Sequence, residues 1–227
     1  RLMLFDTHVH LIYPNKLSYP WLSDVPALNK PYDYEEYKIT ANRLGIEGCF
    51  HMEVDVSEKD IKNETNMLED LRNQTDSKIK GIISACRPEQ LGFDVFLNWA
   101  AQKTIIKGFR RVLHVVPNDV SQSSLFRENI KLLSNTDLTF DLCARADQLP
   151  IIEELIDECP NVKFILDHCG VPDIKNEMFA SWAASMKTIS QRPNVTAKIS
   201  GVIAYGDAEN WKLTDIKPYF DHTVDVF

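Results

Sequence analysis

The stretch Leu2-Met3-Leu4-Phe5-Asp6-Thr7-His8-Val9-His10 decides the fold, because an apolar run leads directly into acid–base and metal-binding residues. In an extended chain, residues two positions apart point to the same side. Asp6, His8 and His10 are therefore predicted to share one face where a first strand ends. Two imidazoles at this spacing can bind one metal ion or one anionic oxygen, and a carboxylate beside them can orient them. The competing interpretation is a strand end whose polar side chains face solvent.

Short apolar runs alternate with helix-like segments along the rest of the chain. The predicted strands cover residues 2–5, 46–54, 79–85, 138–142, 162–166 and 195–199, with a fourth strand inside 105–116. The predicted helices cover residues 34–44, 61–74, 93–101, 125–133, 149–158 and 179–190, and a last helix capped by Thr214 extends to about residue 226. Regular alternation of strands and helices predicts a parallel sheet covered by helices.

The spacing of the strand–helix units decides between two ways of arranging such a sheet. No GxGxxG motif follows the first strand, and units of roughly 25–40 residues favour a (β/α)8 TIM barrel over an open doubly wound sheet. Seven units fit into the 227 residues. We therefore expect residues 1–227 to form a single TIM-barrel domain whose eighth strand lies beyond Phe227.

Composition excludes several classes of partner. The net charge of −8 argues against nucleic acid or an acidic membrane surface, since both favour basic patches. No stretch approaches the length of a transmembrane helix, and no signal peptide is visible. The chain has five cysteines, an odd number, and no CxxC motif. This usage predicts reduced, buried thiols in a cytoplasmic protein.

Ionisable residues follow nearly every predicted strand. Because TIM-barrel chemistry lies at the carboxyl ends of the strands, these side chains are expected to converge on one pocket. The candidates in chain order are His8, His10, Glu53, Arg110, His114, Asp141, His168 and Lys198.

Each candidate has a purely structural alternative. His168 could be a hydrogen-bonded core histidine, and Arg110 could belong to a surface ion pair. Lys198 lies inside an otherwise apolar strand, where burial of an ammonium group is costly unless it contacts an anion. His51 is predicted to pack below the pocket, which leaves Glu53 as the better candidate on the second strand.

Five motifs together resemble the amidohydrolase superfamily. They are the DxHxH end of strand one, Ser18-Tyr19-Pro20-Trp21-Leu22, Lys107-Gly108-Phe109-Arg110-Arg111-Val112-Leu113, Asp167-His168-Cys169-Gly170 and Lys198-Ile199-Ser200-Gly201. Within that superfamily they are most similar to the amidohydrolase 2 branch of sugar-acid and pyrone-dicarboxylate lactonases.

The resemblance implies a (β/α)8 barrel that hydrolyses a substrate at a carbonyl. His8, His10 and His168 match the family's catalytic and metal-binding histidines, and its strand-eight aspartate base would lie beyond Phe227. Strand five ends without the lysine of two-metal members, so the resemblance implies one divalent cation, with Zn²⁺ expected. Some lactonases of this branch need no metal, and that alternative stays open.

The predicted function is hydrolysis of a lactone, derived from a sugar acid, in carbohydrate metabolism. Glu53, Arg110, His114, Asp141 and Lys198 are predicted to bind the substrate, because a guanidinium matches a carboxylate and the others bind hydroxyls. A metal-dependent decarboxylase or other lyase of the same superfamily is the alternative, and a non-catalytic binding protein is a third. The expected partner is a small lactone or carboxylic acid, and a homo-oligomer is left open.

Overall fold

The computed structural model describes residues 3–227, and strands alternate with helices through that range as predicted. The strands are β1 (Leu4–Val9), β2 (Ile46–Met52), β3 (Ile79–Ala85), β4 (Ile106–Val112), β5 (Thr139–Cys143), β6 (Lys163–Leu166) and β7 (Val195–Ala197). The helices are α1 (Tyr34–Leu44), α2 (Ile61–Arg72), α3 (Phe93–Ala100), α4 (Asp119–Gln122), α5 (Ser124–Lys131), α6 (Leu149–Glu158), α7 (Phe179–Ile189) and α8 (Leu213–Val226).

Contacts between residues divide the described chain into two compact units. The first comprises residues 3–86 with 97–110, and the second comprises residues 87–96 with 111–227. The boundary falls within α3 and β4. A single domain over residues 1–227 stays a prediction.

The first unit contains parallel strands in the order β1-β2-β3-β4. Val9 pairs with His51, and His51 pairs with Ile82, so the carboxyl ends of these strands meet at one edge. Helix α1 begins after Asp33, whose side chain accepts from the Glu36 amide. Fully buried side chains of the neighbouring strands form an apolar core, and this core fixes the positions of the strand ends.

The second unit contains β5, β6 and β7, which are also parallel and in chain order. Phe140 of β5 and Phe164 of β6 pack edge to face with ring centroids 6.3 Å apart. Trp182 of α7 is fully buried and donates its indole N–H to the Cys169 carbonyl at 2.8 Å. The helix therefore holds the segment that follows β6.

Several predicted boundaries differ from the structure, and β7 ends at Ala197, so Lys198 follows that strand instead of lying inside it. Strand β1 runs from Leu4 to Val9, so His8 lies within the strand, and the predicted start at Leu2 lies outside the described residues. The prediction that Thr214 caps the last helix is wrong. Thr214 lies inside α8, and the Lys212 amide before the helix donates to the Asp215 side chain, which supplies the capping oxygen instead.

The five cysteines are free and buried, as predicted for reduced thiols. Within residues 3–227, no helix combines the length and apolar character needed to cross a membrane.

Candidate active site

His8 and His10 face each other at the end of β1. Their Nε2 atoms lie 3.2 Å apart, and the ring planes are inclined at 84°. The predicted common face of the two histidines is therefore confirmed.

The protonation state of His10 follows from its second nitrogen. Nδ1 lies 3.0 Å from the Met52 carbonyl oxygen, which can only accept, so Nδ1 is assigned the proton. Although water reaches this ring, desolvation and the positive charge of Arg110 lower the pKa of His10 to about 3. The neutral ring therefore presents the Nε2 lone pair toward His8.

This geometry fits a metal ion. Two nitrogens bound at about 2.0–2.1 Å to one tetrahedral Zn²⁺ lie about 3.3 Å apart. The separation between His8 and His10 is close to that value, and a ligand histidine commonly donates its other nitrogen to a backbone carbonyl. The two residues could therefore hold one divalent cation.

Asp6 does not orient these rings, contrary to the expectation from strand alternation. Its carboxylate accepts from the Tyr37 hydroxyl at 3.3 Å and from the His8 amide at 3.2 Å. The β1–β2 pairing shifts register between Asp6 and Val9, so the regular alternation is interrupted there.

Glu53 and Arg110, both predicted to bind substrate, contact each other. Arg110 Nε donates to Glu53 Oε1 at 2.6 Å, and its Nη2 donates to the Glu53 carbonyl at 2.9 Å. Both side chains are buried. Glu53 Oε2 also accepts from the Asp55 amide at 2.7 Å, so this carboxylate is held at both oxygens.

His51 packs beneath the His8–His10 pair, in a pair of its own with Glu64. The Leu11 amide donates to His51 Nδ1 at 3.3 Å, and His51 Nε2 lies 3.0 Å from Glu64 Oε1. Desolvation lowers the pKa of His51 to about 3 and raises the pKa of Glu64 well above its usual value. Burial thus favours the uncharged form of each group and opposes an ion pair between them.

Lys198 contacts two aspartates in the second unit. Its Nζ binds Asp141 Oδ2 and lies 3.1 Å from Asp167 Oδ1, and both carboxylates are buried. Both anions are side chains of the protein itself, and the prediction that Lys198 binds a substrate stays a prediction. The three groups carry a formal charge of −1.

His168 lies on an unusual turn directly after β6. Residues 168–171 all have positive φ, with φ of 55° at His168 and 44° at Val171. A left-handed conformation costs about 1–2 kcal/mol for a residue other than glycine, and β-branched Val171 adopts it especially rarely. The Cys169 amide donates to the Lys198 carbonyl at 3.0 Å, which helps to hold the turn.

The His168 ring is oriented by residues that follow β7. His168 Nδ1 lies 2.8 Å from Ser200 Oγ, and a Cβ at Gly201 would lie 2.8 Å from the same nitrogen. The Tyr205 ring lies on another side, with centroids 6.4 Å apart. Tyr205 and Val171 also line a cavity of about 790 Å³ within the second unit.

His114 contacts a thiol. Its Nδ1 lies 3.2 Å from Cys143 Sγ, and its carbonyl accepts from Arg145 Nη1 at 2.8 Å. This contact involves none of the other predicted site residues.

The sequence analysis missed Glu64 and did not weigh Ser200 as a partner of His168. One signal could have revealed Glu64: it stands on the buried face of α2 with Ile61, Thr65 and Leu68. A carboxylate on an apolar helix face needs a buried partner.

Comparison with known protein families gives one match over nearly the whole chain. The family model described as amidohydrolase matches residues 5–227. Protein y4mH of Sinorhizobium fredii is 26% identical over 99% of this chain and 80% of its own length. An L-fucono-1,5-lactonase from Burkholderia ambifaria is 25% identical over 53% of this chain and 42% of its own length.

Solved structures share the fold. An amidohydrolase from Burkholderia multivorans with bound Zn superposes with a TM-score of 0.85, at 19% identity, over 100% of this chain and 81% of that chain. A probable 2-pyrone-4,6-dicarboxylic acid hydrolase from Acinetobacter baumannii with citric acid bound superposes with a TM-score of 0.74, at 13% identity. The match covers 100% of this chain and 79% of that chain. A TIM-barrel protein from Bordetella bronchiseptica superposes with a TM-score of 0.58, at 10% identity, over 98% of this chain and 90% of that chain. The predicted TIM-barrel fold class is therefore confirmed.

Proposed function

This chain belongs to the amidohydrolase family, and from that premise we propose that it opens a lactone, derived from a sugar acid, by directing water onto the carbonyl carbon. The observation that carries the proposal is the 3.2 Å separation of His8 Nε2 and His10 Nε2, which suits one cation or one oxygen. The partial similarity to a fuconolactonase supports the substrate class.

The proposed catalytic residues are His8, His10 and His168. A divalent cation bound by them, with Zn²⁺ as the expected ion, would polarise the carbonyl and lower the pKa of water. His10 offers its Nε2 lone pair, because its proton is held at Nδ1 by the Met52 carbonyl. His168 is held at Nδ1 by Ser200.

The overall reaction is simple to balance. The oxygen of water bonds to the carbonyl carbon while the bond from that carbon to the ring oxygen breaks. One proton of the water goes to the released ring oxygen, so the product is an open-chain hydroxy acid.

The buried charges favour a neutral substrate over a dicarboxylate. Arg110 and Glu53 balance each other, and Lys198 with its two aspartates carries a formal charge of −1. A second carboxylate near such a group would be repelled, whereas hydroxyls can exchange hydrogen bonds with either charge. We therefore assign Glu53, Arg110, Asp141, Lys198 and His114 to binding the substrate's hydroxyls.

Two further features support a small-molecule enzyme. A cavity of about 790 Å³ in the second unit, lined in part by Val171 and Tyr205, lies in the size range of ligand pockets. The five free, buried thiols support a cytoplasmic location.

The test is a pH-indicator hydrolysis assay of neutral aldonolactones, muconolactones and a pyrone dicarboxylate, with and without a strong chelator. Acid release fastest on an aldonolactone, and lost with the chelator, is the expected result. Acid release that survives the chelator would contradict the proposed metal requirement but would still support the proposed lactonase activity. No release from any lactone would contradict the proposal, and CO2 from carboxylated substrates would then identify a decarboxylase, whereas ligand binding without turnover would identify a binding protein.

A further inference from the structure

We propose that Glu64 is a positioning residue that fixes the His8–His10 pair through His51 and the Leu11 amide, a role that rests on the proposed function of that pair. Glu64 lies on α2. Its carboxyl group is joined to the chain after β1 by two consecutive hydrogen bonds.

The Leu11 amide sets the direction of both bonds. A backbone N–H can only donate, so His51 accepts at Nδ1. The neutral His51 ring then carries its proton at Nε2 and donates it to Glu64 Oε1. Glu64 therefore selects the one tautomer of His51 that can accept from Leu11.

Two neighbouring residues of β2 hold two neighbouring residues of the chain that follows β1. His51 accepts from the Leu11 amide, and the Met52 carbonyl accepts from His10 Nδ1. A rotation of the His51 ring would release Leu11 and disturb the segment that carries the His10 ring. Through this arrangement, Glu64 controls the separation of the two histidines without contacting a substrate.

Stability alone does not account for a carboxyl group at this position. The side chains of Glu64 and His51 are 1% and 0% exposed. Glu64 Oε2 is buried and has no hydrogen-bond partner among residues 3–227, which is unfavourable. An apolar side chain beside Ile61 and Leu68 would avoid that loss but would leave His51 Nε2–H without an acceptor.

Thr65 provides a matched control on the same helix face. It is fully buried, and its hydroxyl lies 3.3 Å from Ser84 Oγ of β3, away from His51. Thr65→Val therefore removes the buried hydrogen bonds of this hydroxyl, to Ser84 Oγ and to the Ile61 carbonyl, without affecting the proposed chain.

The experiment compares Glu64→Leu, Glu64→Gln and Thr65→Val by two measurements, hydrogen exchange of the Leu11 amide by NMR and Co²⁺ affinity by visible absorption. Glu64→Leu is expected to speed Leu11 exchange and to weaken Co²⁺ binding about 10-fold, the lower end of the range for direct partners of metal ligands, because Glu64 acts through His51 and Leu11. Glu64→Gln keeps an acceptor oxygen for His51 and should resemble wild type, as should Thr65→Val.

Unchanged Leu11 exchange in Glu64→Leu, or an equal change in Thr65→Val, would overturn the proposal. If Glu64→Leu does not fold, nitrogen NMR shifts of wild-type His51 decide: a proton at Nε2 is expected, and a proton at Nδ1 overturns it. Neither Leu11 exchange nor the tautomer needs a substrate or a metal. Failure of lactone hydrolysis would therefore overturn the proposed function while leaving these two readouts unchanged.

Discussion

The first and second units hold their histidines by opposite means. In the first unit, His10 lies at the end of a parallel strand and is fixed by a neighbouring strand's carbonyl. In the second unit, His168 lies on a left-handed turn and is fixed by the Ser200 side chain and the space left by Gly201. An extended strand places an imidazole at little conformational cost even where its pairing shifts register, whereas the turn places one only because its surroundings compensate the strain.

The buried charges differ in the same way. Glu53 and Arg110 form a balanced pair in the first unit, whereas Lys198 in the second unit serves two aspartates. Removal of the Arg110 side chain would therefore deprive one buried carboxylate of its cation in the first unit. Removal of the Lys198 side chain would deprive two in the second unit.

The largest effects are expected from the histidines themselves. His10→Asn and His168→Asn should each lower kcat about 10²- to 10³-fold on a hydrolysed lactone, the range for loss of a group that stabilises developing charge. Thermal unfolding of both variants serves as the control for folding. An unchanged kcat in either variant would remove that histidine from the proposed catalytic residues.

The charge difference is sharpened by Lys198→Met and Arg110→Met. Removal of one partner from a buried ion pair costs about 3–5 kcal/mol, and Lys198→Met should reach the upper end because two carboxylates lose their cation. Urea denaturation at neutral pH gives the two free energies of unfolding. A greater loss in Arg110→Met would contradict the account of the second unit's charges.

The turn is tested by Gly201→Ala, with Gly45→Ala as its control. Both glycines have positive φ, of 64° and 72°, so both variants should lose about 1–2 kcal/mol of stability. Only at Gly201 would the new Cβ press on the His168 ring, which should lower kcat about 10²-fold through misplacement. Equal kcat values in the two variants would show that Gly201 does not set the ring's position.

The smallest effect concerns the neutral pair of the first unit. Because the folded-state pKa of Glu64 is raised above its usual value of 4.5, its contribution to stability is complete below that value. The contribution declines as the pH rises toward and through the folded-state pKa. Wild type should therefore lose stability relative to Glu64→Gln with rising pH, by at most about 1.4 kcal/mol per pH unit, in urea denaturation. A constant difference would indicate an ionised Glu64.

Much of the first unit could be predicted from sequence, since a two-residue period places His8 and His10 on one face. The need of Lys198 for an anion could be inferred from the cost of burying an ammonium group, but not that Asp141 and Asp167 supply it. The turn at 168–171 could not, because Cys169 and Val171 have no preference for positive φ. Asp6 was misjudged because a register shift in the β1–β2 pairing is invisible in the residue pattern.

The central claim is that His8 and His10 act together on one substrate, and a double-mutant cycle tests it most directly. It compares kcat/KM of wild type, His8→Asn, His10→Asn and the double variant on the best lactone. Residues that act as a unit are strongly non-additive, so the double variant should be about as slow as the slower single variant. Losses that multiply in the double variant would contradict a shared site.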